Sequence, residues 1–263
     1  MFEKLDMAPA DPILGLSAAF KSDGHPQKIN LGVGVYQDDE GETPILPSVA
    51  EAEKRIVSSA TSKSYLAIDG TPEYNRAVQT LLLNEDHEII GSERAVTVQS
   101  PGGTGALRIA GDFLARHFPS TRLWLSQPTW ANHPKIFQSA GIDVRTYPYF
   151  DASNNGLDFS SMIEVLRAVP AGDIVLLHGC CHNPTGADPT SDQWEEIADV
   201  AGETGWLPLV DFAYQGFGDG IEEDAAGLRA LCRPGLELLI ASSFSKNFGL
   251  YRERIGALTL VAK

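Results

Sequence analysis

Residues 237–262 read ELLIASSFSKNFGLYRERIGALTLVA. Two apolar runs, 237–245 and 254–262, flank a short polar link. Each run has the length of a strand. A crossover between parallel neighbours takes a dozen or more residues, and this link is shorter than that. The last run is therefore expected to lie antiparallel to its neighbours.

The same rhythm extends backwards from this point. Strand-like runs are AVTVQS (95–100), RLWLSQ (122–127), DVRTYPY (143–149), DIVLLHGCC (173–181) and WLPLVDFAY (206–214). Helices are expected over 48–60, 72–84, 103–118, 130–140, 158–169, 191–204 and 224–232. Within 103–118, Leu107, Ala110, Leu114 and Phe118 recur at helical spacing. Asp158 and Ser191 are the expected N-caps of two others. Strands alternating with helices define an α/β fold, a mostly parallel sheet with its last strand antiparallel and helices on both faces. Residues 1–47 differ. Pro9, Pro12, Pro26, Pro44 and Pro47 punctuate them around one apolar run, INLGVGVY (29–36). They read as an extended arm and part of a smaller domain, with 48–263 as the larger one. The chain ends inside its last strand without a closing helix, which reads as a truncated sequence.

The 263 residues carry a net charge of −15, with a pI near 4.7. So acidic a chain repels nucleic-acid phosphate and anionic lipid, and neither is expected as a partner. No apolar run approaches the ~18 residues of a membrane helix. The N-terminus has no signal-peptide core. Three cysteines, Cys180, Cys181 and Cys232, make a poor disulfide framework and point to a reducing, cytoplasmic setting.

Ligands of open α/β sheets sit beyond the carboxyl ends of the strands, and the chemically distinctive residues gather there. Gly102, Gly103 and Thr104 follow one strand and open a helix, where backbone N–H groups suit a phosphate. The series lacks the third glycine of a dinucleotide fingerprint and the G-K-[ST] of a nucleotide loop. His178, Cys180 and His182 would share one face of a strand, but no second ligand cluster accompanies them and no metal site is read. Asn183-Pro184-Thr185-Gly186 is turn chemistry that also offers an amide to a ligand. Asp211 follows an apolar lead-in where a carboxylate is costly unless paired. Tyr214 lies three residues on, and Trp130 follows a strand and opens a helix. Ser243-x-x-Lys246 matches the first motif of serine penicillin-binding enzymes, but S-D-N and K-T-G are absent. A lysine after a buried strand suits Schiff-base chemistry. Arg254 offers a planar fork to a phosphate. A phosphate cradle, an arginine, a stacking aromatic, a carboxylate, a phenol, an amide and an amine are the set that holds pyridoxal phosphate. Both Gln127–Pro128 and Asn183–Pro184 are expected to be cis, turning the chain sharply toward that ligand.

The runs DPILGL, INLGVGVY, YLAIDG, PGGTGALRIA, GCCHNPTG, DFAYQGF and SFSKNFGLYRERIG, in this order, resemble the class I (fold type I) pyridoxal-phosphate-dependent aminotransferases, and their bacterial aspartate-specific members most closely. The resemblance implies a three-layer large domain, a homodimer, and amino-acid and 2-oxo-acid substrates. It implies that Lys246 forms a Schiff base with pyridoxal 5'-phosphate and moves the proton between substrate Cα and cofactor C4′. Asp211 would pair with the ring nitrogen, with His133 behind it. Tyr214 and Asn183 would bond the phenolic oxygen, and Trp130 would stack on the ring. Gly102, Gly103, Thr104, Ser243 and Arg254 would hold the phosphate, with Tyr65 reaching the neighbouring subunit's cofactor. Gly34, Trp130 and Asn183 would line the substrate side. The arginines that bind substrate carboxylates in the family have no counterpart before residue 263. The implied reaction is ping-pong transfer from L-aspartate to 2-oxoglutarate. The alternatives are an aromatic-amino-acid-specific member of the same subfamily and a non-catalytic binding protein on the same fold.

Overall fold

A computed structural model describes residues 2–4, 16, 19–29 and 34–263. The chain divides into two compact units, Met1–Pro44 and Ile45–Lys263. In the first, Phe2–Lys4 form a 3-10 turn. The Asp38 carboxylate accepts the N–H groups of Glu40 and Glu42, closing a tight loop. Residues 11–15 of DPILGL and 30–33 of INLGVGVY lie outside the described residues.

The second unit opens with α1 (Pro47–Ser59) and α2 (Pro72–Leu83), each with proline in its first turn, where no N–H is needed. A short α3 (Glu88–Gly91) precedes β1 (Ala95–Pro101), which runs directly into α4 (Gly102–His117). Then come β2 (Arg122–Gln127), α5 (His133–Ser139), β3 (Asp143–Pro148), a small hairpin of β4 (Phe150–Asp151) and β5 (Gly156–Leu157), and α6 (Phe159–Arg167). The second half is β6 (Ile174–His178), α7 (Ser191–Thr204), β7 (Leu207–Phe212), α8 (Ala226–Leu231), β8 (Leu238–Ser243) and β9 (Ile255–Val261). The main sheet has the order β1-β9-β8-β7-β6-β2-β3. Its pairings are parallel except at β9, which is antiparallel to both β8 and β1, as the short link requires.

Strand periodicity sorts the core into two faces. Val175, Leu177, Val210, Phe212 and Ile240 pack on one side with Met162, Leu166, Trp194 and Leu228. Ile174, Leu176, Leu209, Leu239 and Ala241 pack on the other with Leu107, Leu114 and Phe137. Burying each large side chain stabilises by roughly 1.5–3 kcal/mol. The central strands are apolar until their carboxyl ends, because both faces are covered.

Boundaries differ from expectation where polar chemistry intervenes. The runs over 173–181, 206–214 and 237–245 leave the sheet at His178, Phe212 and Ser243, and their last residues form the turns that carry the site. Asp158 caps α6, accepting the Ser161 N–H. Ser191 does not cap α7. Thr190 does, in a capping box with Gln193 that satisfies a donor at each end. The hairpin and α3 are too short to show a period in the sequence. Both Gln127–Pro128 and Asn183–Pro184 are cis. Thr190→Ala should destabilise the fold by about 1 kcal/mol, whereas Ser191→Ala should leave it nearly unchanged. Urea unfolding of the two variants checks the assignment.

Candidate functional site

The carboxyl ends of β2, β6, β7 and β8 bring their following turns to one edge of the sheet. Asp211 lies level with His178 of β6 and Ala241 of β8. Its side chain is 11% exposed, and its Oδ2 is 2.9 Å from His133 Nε2, on a ring with no exposure at all. His133 Nδ1 lies 2.8 Å from Thr129 Oγ1, which is 3.2 Å from His178 Nε2. His178 Nδ1 faces the Asn183 N–H at 3.4 Å.

The direction of this chain follows from its ends. A backbone N–H can only donate, so His178 Nδ1 accepts and, in the neutral ring, Nε2 carries the proton. Thr129 then accepts from His178 and donates to His133 Nδ1. His133 Nε2–H donates to Asp211. Four donors point one way and end on a carboxylate. Burial alone would push the Asp211 carboxyl up, but the His133 hydrogen bond, then the electrostatics of His133 and His178 and last of Lys246, outweigh it, and the group sits below its ordinary value. His178 is pushed down to about 3, by burial first and then by the neighbouring histidines.

Lys246 Nζ lies 4.5 Å from the centroid of the Tyr214 ring. Burial lowers its pKa below the ordinary value; Arg254 adds to the effect and Asp211 opposes it. The Asn183 side-chain amide donates to the Tyr214 hydroxyl at 3.5 Å. Burial raises the Tyr214 phenol. Trp130 stands edge-on to His133, with ring centroids 5.2 Å apart.

At the same edge, α4 begins at Gly102, with φ +76. A Cβ on Gly102 would lie 2.6 Å from Arg254 Nη2, and one on Gly103 would lie 3.0 Å from Ser243 Cβ. Glycine alone lets the guanidinium approach the helix start. Among the described residues Arg254 forms no ion pair with a carboxylate; its Nη1 donates to the Tyr251 carbonyl and to Ser245 Oγ. A guanidinium against the positive end of a helix is unfavourable by itself and suits an anion between them. Thr104 is exposed in the first turn of α4.

Of the residues singled out from sequence, Gly102, Gly103, Thr104, Trp130, His133, Asn183, Asp211, Tyr214, Ser243, Lys246 and Arg254 all belong to this edge. Tyr65 stands fully exposed in the extended segment between α1 and α2, apart from the cluster. Gly34 lies exposed in the first unit. Thr129 was not anticipated; its i, i+4 spacing to His133 was the available signal. His178 and His182, weighed as metal ligands, bond instead to Thr129 and Ser126.

Residues 26–263 match the family model for aminotransferase class I and II, and the chain belongs to that family. It is 56% identical to the aspartate aminotransferase of Escherichia coli over all of its own length and 66% of the relative's. A solved aromatic amino acid aminotransferase from Burkholderia cenocepacia superposes with a TM-score of 0.97 at 48% identity, and again the chain covers 66% of that structure. An aromatic-amino-acid aminotransferase from Burkholderia pseudomallei, solved covalently bound to pyridoxal phosphate, matches at TM-score 0.97 and 46% identity, with the same 66% coverage. The chain thus spans slightly under two thirds of these relatives.

His178 and His182, pushed down to about 3 and about 4, are neutral in the fold and would charge once released. Their folded pKa values lie below the unfolded value near 6.5, so the stability they contribute is complete above that pH. It is lost as pH falls toward 4 and then 3. Each contributes a slope of at most about 1.4 kcal/mol per pH unit. Urea unfolding between about pH 7 and about pH 5 should show His178→Gln losing stability less steeply than the unsubstituted chain.

Proposed function

We propose that this chain is the larger part of an aspartate aminotransferase. It would use pyridoxal 5'-phosphate to move the amino group of L-aspartate to 2-oxoglutarate. The observation that carries the reading is the gathering, on one sheet edge, of buried Asp211 bonded by His133, Lys246 over the Tyr214 ring, and Arg254 against the Gly102 start of α4. The donor set fits the cofactor. The unpaired Arg254, the glycine start of α4 and Ser243 make a cradle for its phosphate. Asp211 matches a protonated ring nitrogen, Asn183 and Tyr214 match a phenolic oxygen, and Trp130 matches a ring face.

Bound there, the pyridinium ring would act as an electron sink for charge developing at the substrate Cα. The chain's own residues do the rest. Asp211 stays ionised and, backed by His133, favours the positive ring nitrogen. Lys246 Nζ would hold the cofactor and would be the base for the Cα proton; burial lowers its pKa, in the direction that favours the free amine. Asn183 and Tyr214 would hold the ring's orientation, and Arg254 would hold the phosphate.

Tyr65 and Ile68 support a homodimer, since both are fully exposed on the segment that the family resemblance turns toward a second subunit. No helix among the described residues is long and apolar enough to cross a membrane. That, the acidic balance and the free cysteines favour a cytoplasmic enzyme. The likeness to aromatic-amino-acid enzymes supports a second reading, a preference for aromatic substrates.

In the full-length protein, Lys246→Ala should abolish transamination, and normal turnover would overturn the assignment. Asp211→Ala should slow it by roughly a hundredfold or more while pyridoxal phosphate still binds. A higher kcat/KM for L-phenylalanine than for L-aspartate would replace the first reading by the second.

A further inference from the structure

The turn that carries Asn183 is fastened by groups that touch neither Lys246 nor Asp211. Two consecutive N–H groups, of Cys181 and His182, donate to the two oxygens of Asp188 at 2.6 and 2.9 Å. Cys181 has φ +48, a left-handed conformation that a non-glycine residue adopts only when its surroundings impose it. The paired N–H groups form a concave anion receptor, and the Asp188 carboxylate fills it. The chain then enters the turn at a fixed angle.

His182 secures the same turn from its other side. Its ring is 1% exposed and both nitrogens are bonded, Nε2 to Ser126 Oγ at 2.9 Å and Nδ1 to Thr185 Oγ1 at 2.8 Å. The ring stacks on Tyr149 at 3.9 Å, and the Tyr149 hydroxyl donates to the Ala187 carbonyl. The Gly186 N–H donates to the His182 carbonyl. Ser126 is near the end of β2, three residues before Thr129 and four before Trp130. The His182–Ser126 bond therefore joins the turn of Asn183 to the turn of Trp130.

We propose that His182 and Asp188 are positioning residues. They set the Asn183 amide against Tyr214 and lock the Asn183 and Trp130 turns in one register. The proposal rests on the reading of Asn183 and Tyr214 as ligands of the cofactor's phenolic oxygen. An asparagine side chain has two rotatable bonds, so its backbone decides where the amide reaches. A misplacement of about 1 Å at such a contact is enough to lose it. Both nitrogens of a buried histidine need partners whatever its role; the bearing on position comes from where those partners are, Ser126 on a second strand and Thr185 inside the turn itself.

The test uses the full-length protein and pyridoxal phosphate, with Asp188→Asn, His182→Gln, Thr185→Val and Asn183→Ala. An amide donating to the phenolic oxygen favours its ionised form, so losing that bond should raise the pH at which the bound cofactor's absorbance changes. Asn183→Ala should raise this midpoint and weaken cofactor binding by roughly tenfold. His182→Gln and Asp188→Asn should reproduce both effects in part. Thr185→Val, which removes one ring contact and the acceptor of the Ala187 N–H at nearly constant volume, should give a smaller shift of the same sign. Added to Asn183→Ala, the His182 and Asp188 changes should move the midpoint no further, because they act through the same amide. Variants that bind the cofactor with an unmoved midpoint would overturn the proposal, as would additive shifts in the double variants. An unsubstituted protein that takes up no pyridoxal phosphate would overturn the cofactor reading, and this proposal with it.

Discussion

A carboxylate at the end of a central strand, packed between two helical layers, has to be ionised against its surroundings. Asp211 meets that demand through one hydrogen bond from a fully buried histidine. The consequences spread outward from that bond. His133 must donate from Nε2, so Thr129 must donate to its other nitrogen, and His178 must donate to Thr129. The Asn183 backbone supplies the last donor. The orientation of residues on one helix, one strand and two turns thus follows from one charge. Burial lowers the Lys246 pKa against the opposing charge of Asp211, the direction that nucleophilic and proton-transfer chemistry needs.

The second constraint has the opposite sign. The chain carries a net charge of −15, yet the start of α4 and Arg254 concentrate positive potential at one point of the sheet edge. Two charged groups, negative at Asp211 and positive at Arg254, both act on Lys246. A ligand suited to both is itself dipolar, cationic at one end and anionic at the other. Pyridoxal phosphate with a protonated ring has that character, and a simple phosphate or a simple amine has not.

Much of this was legible in the sequence because strand order and strand ends are. Alternating apolar runs gave the three layers, and the short link before residue 254 gave the reversal of β9. Motifs at strand ends singled out Asp211, Tyr214, Lys246 and Arg254, since a costly residue in an apolar setting needs a reason. What the sequence hid is what depends on three-dimensional coincidence. Thr129 is an ordinary threonine until two histidines from different elements close on it. By spacing His178, Cys180 and His182 would share one strand face, but the strand ends at His178, whose ring reaches Thr129 while His182 reaches Ser126. The cap of α7 shifted by one residue because Thr190, not Ser191, has Gln193 at the capping-box position.

The reversal of β9 does more than close the sheet. In its register Pro101 lies opposite Ile255, and Gly256 lies opposite both Ser100 and Ser243. The end of β1, the end of β8 and the start of β9 therefore come level. Arg254, one residue before that level, is delivered to Gly102, and Ser243 to Gly103. Such crowding leaves no room for side chains on the backbone itself. A Cβ on Gly256 would stand 2.6 Å from both the Gly102 carbonyl carbon and the Ser242 carbonyl oxygen. Were β9 parallel, its first residues would sit at the far end of the sheet, and Arg254 could not reach the helix start. The short link after Lys246 is thus a condition for the anion cradle: it holds lysine and arginine on one edge while the strands beside it run in opposite directions.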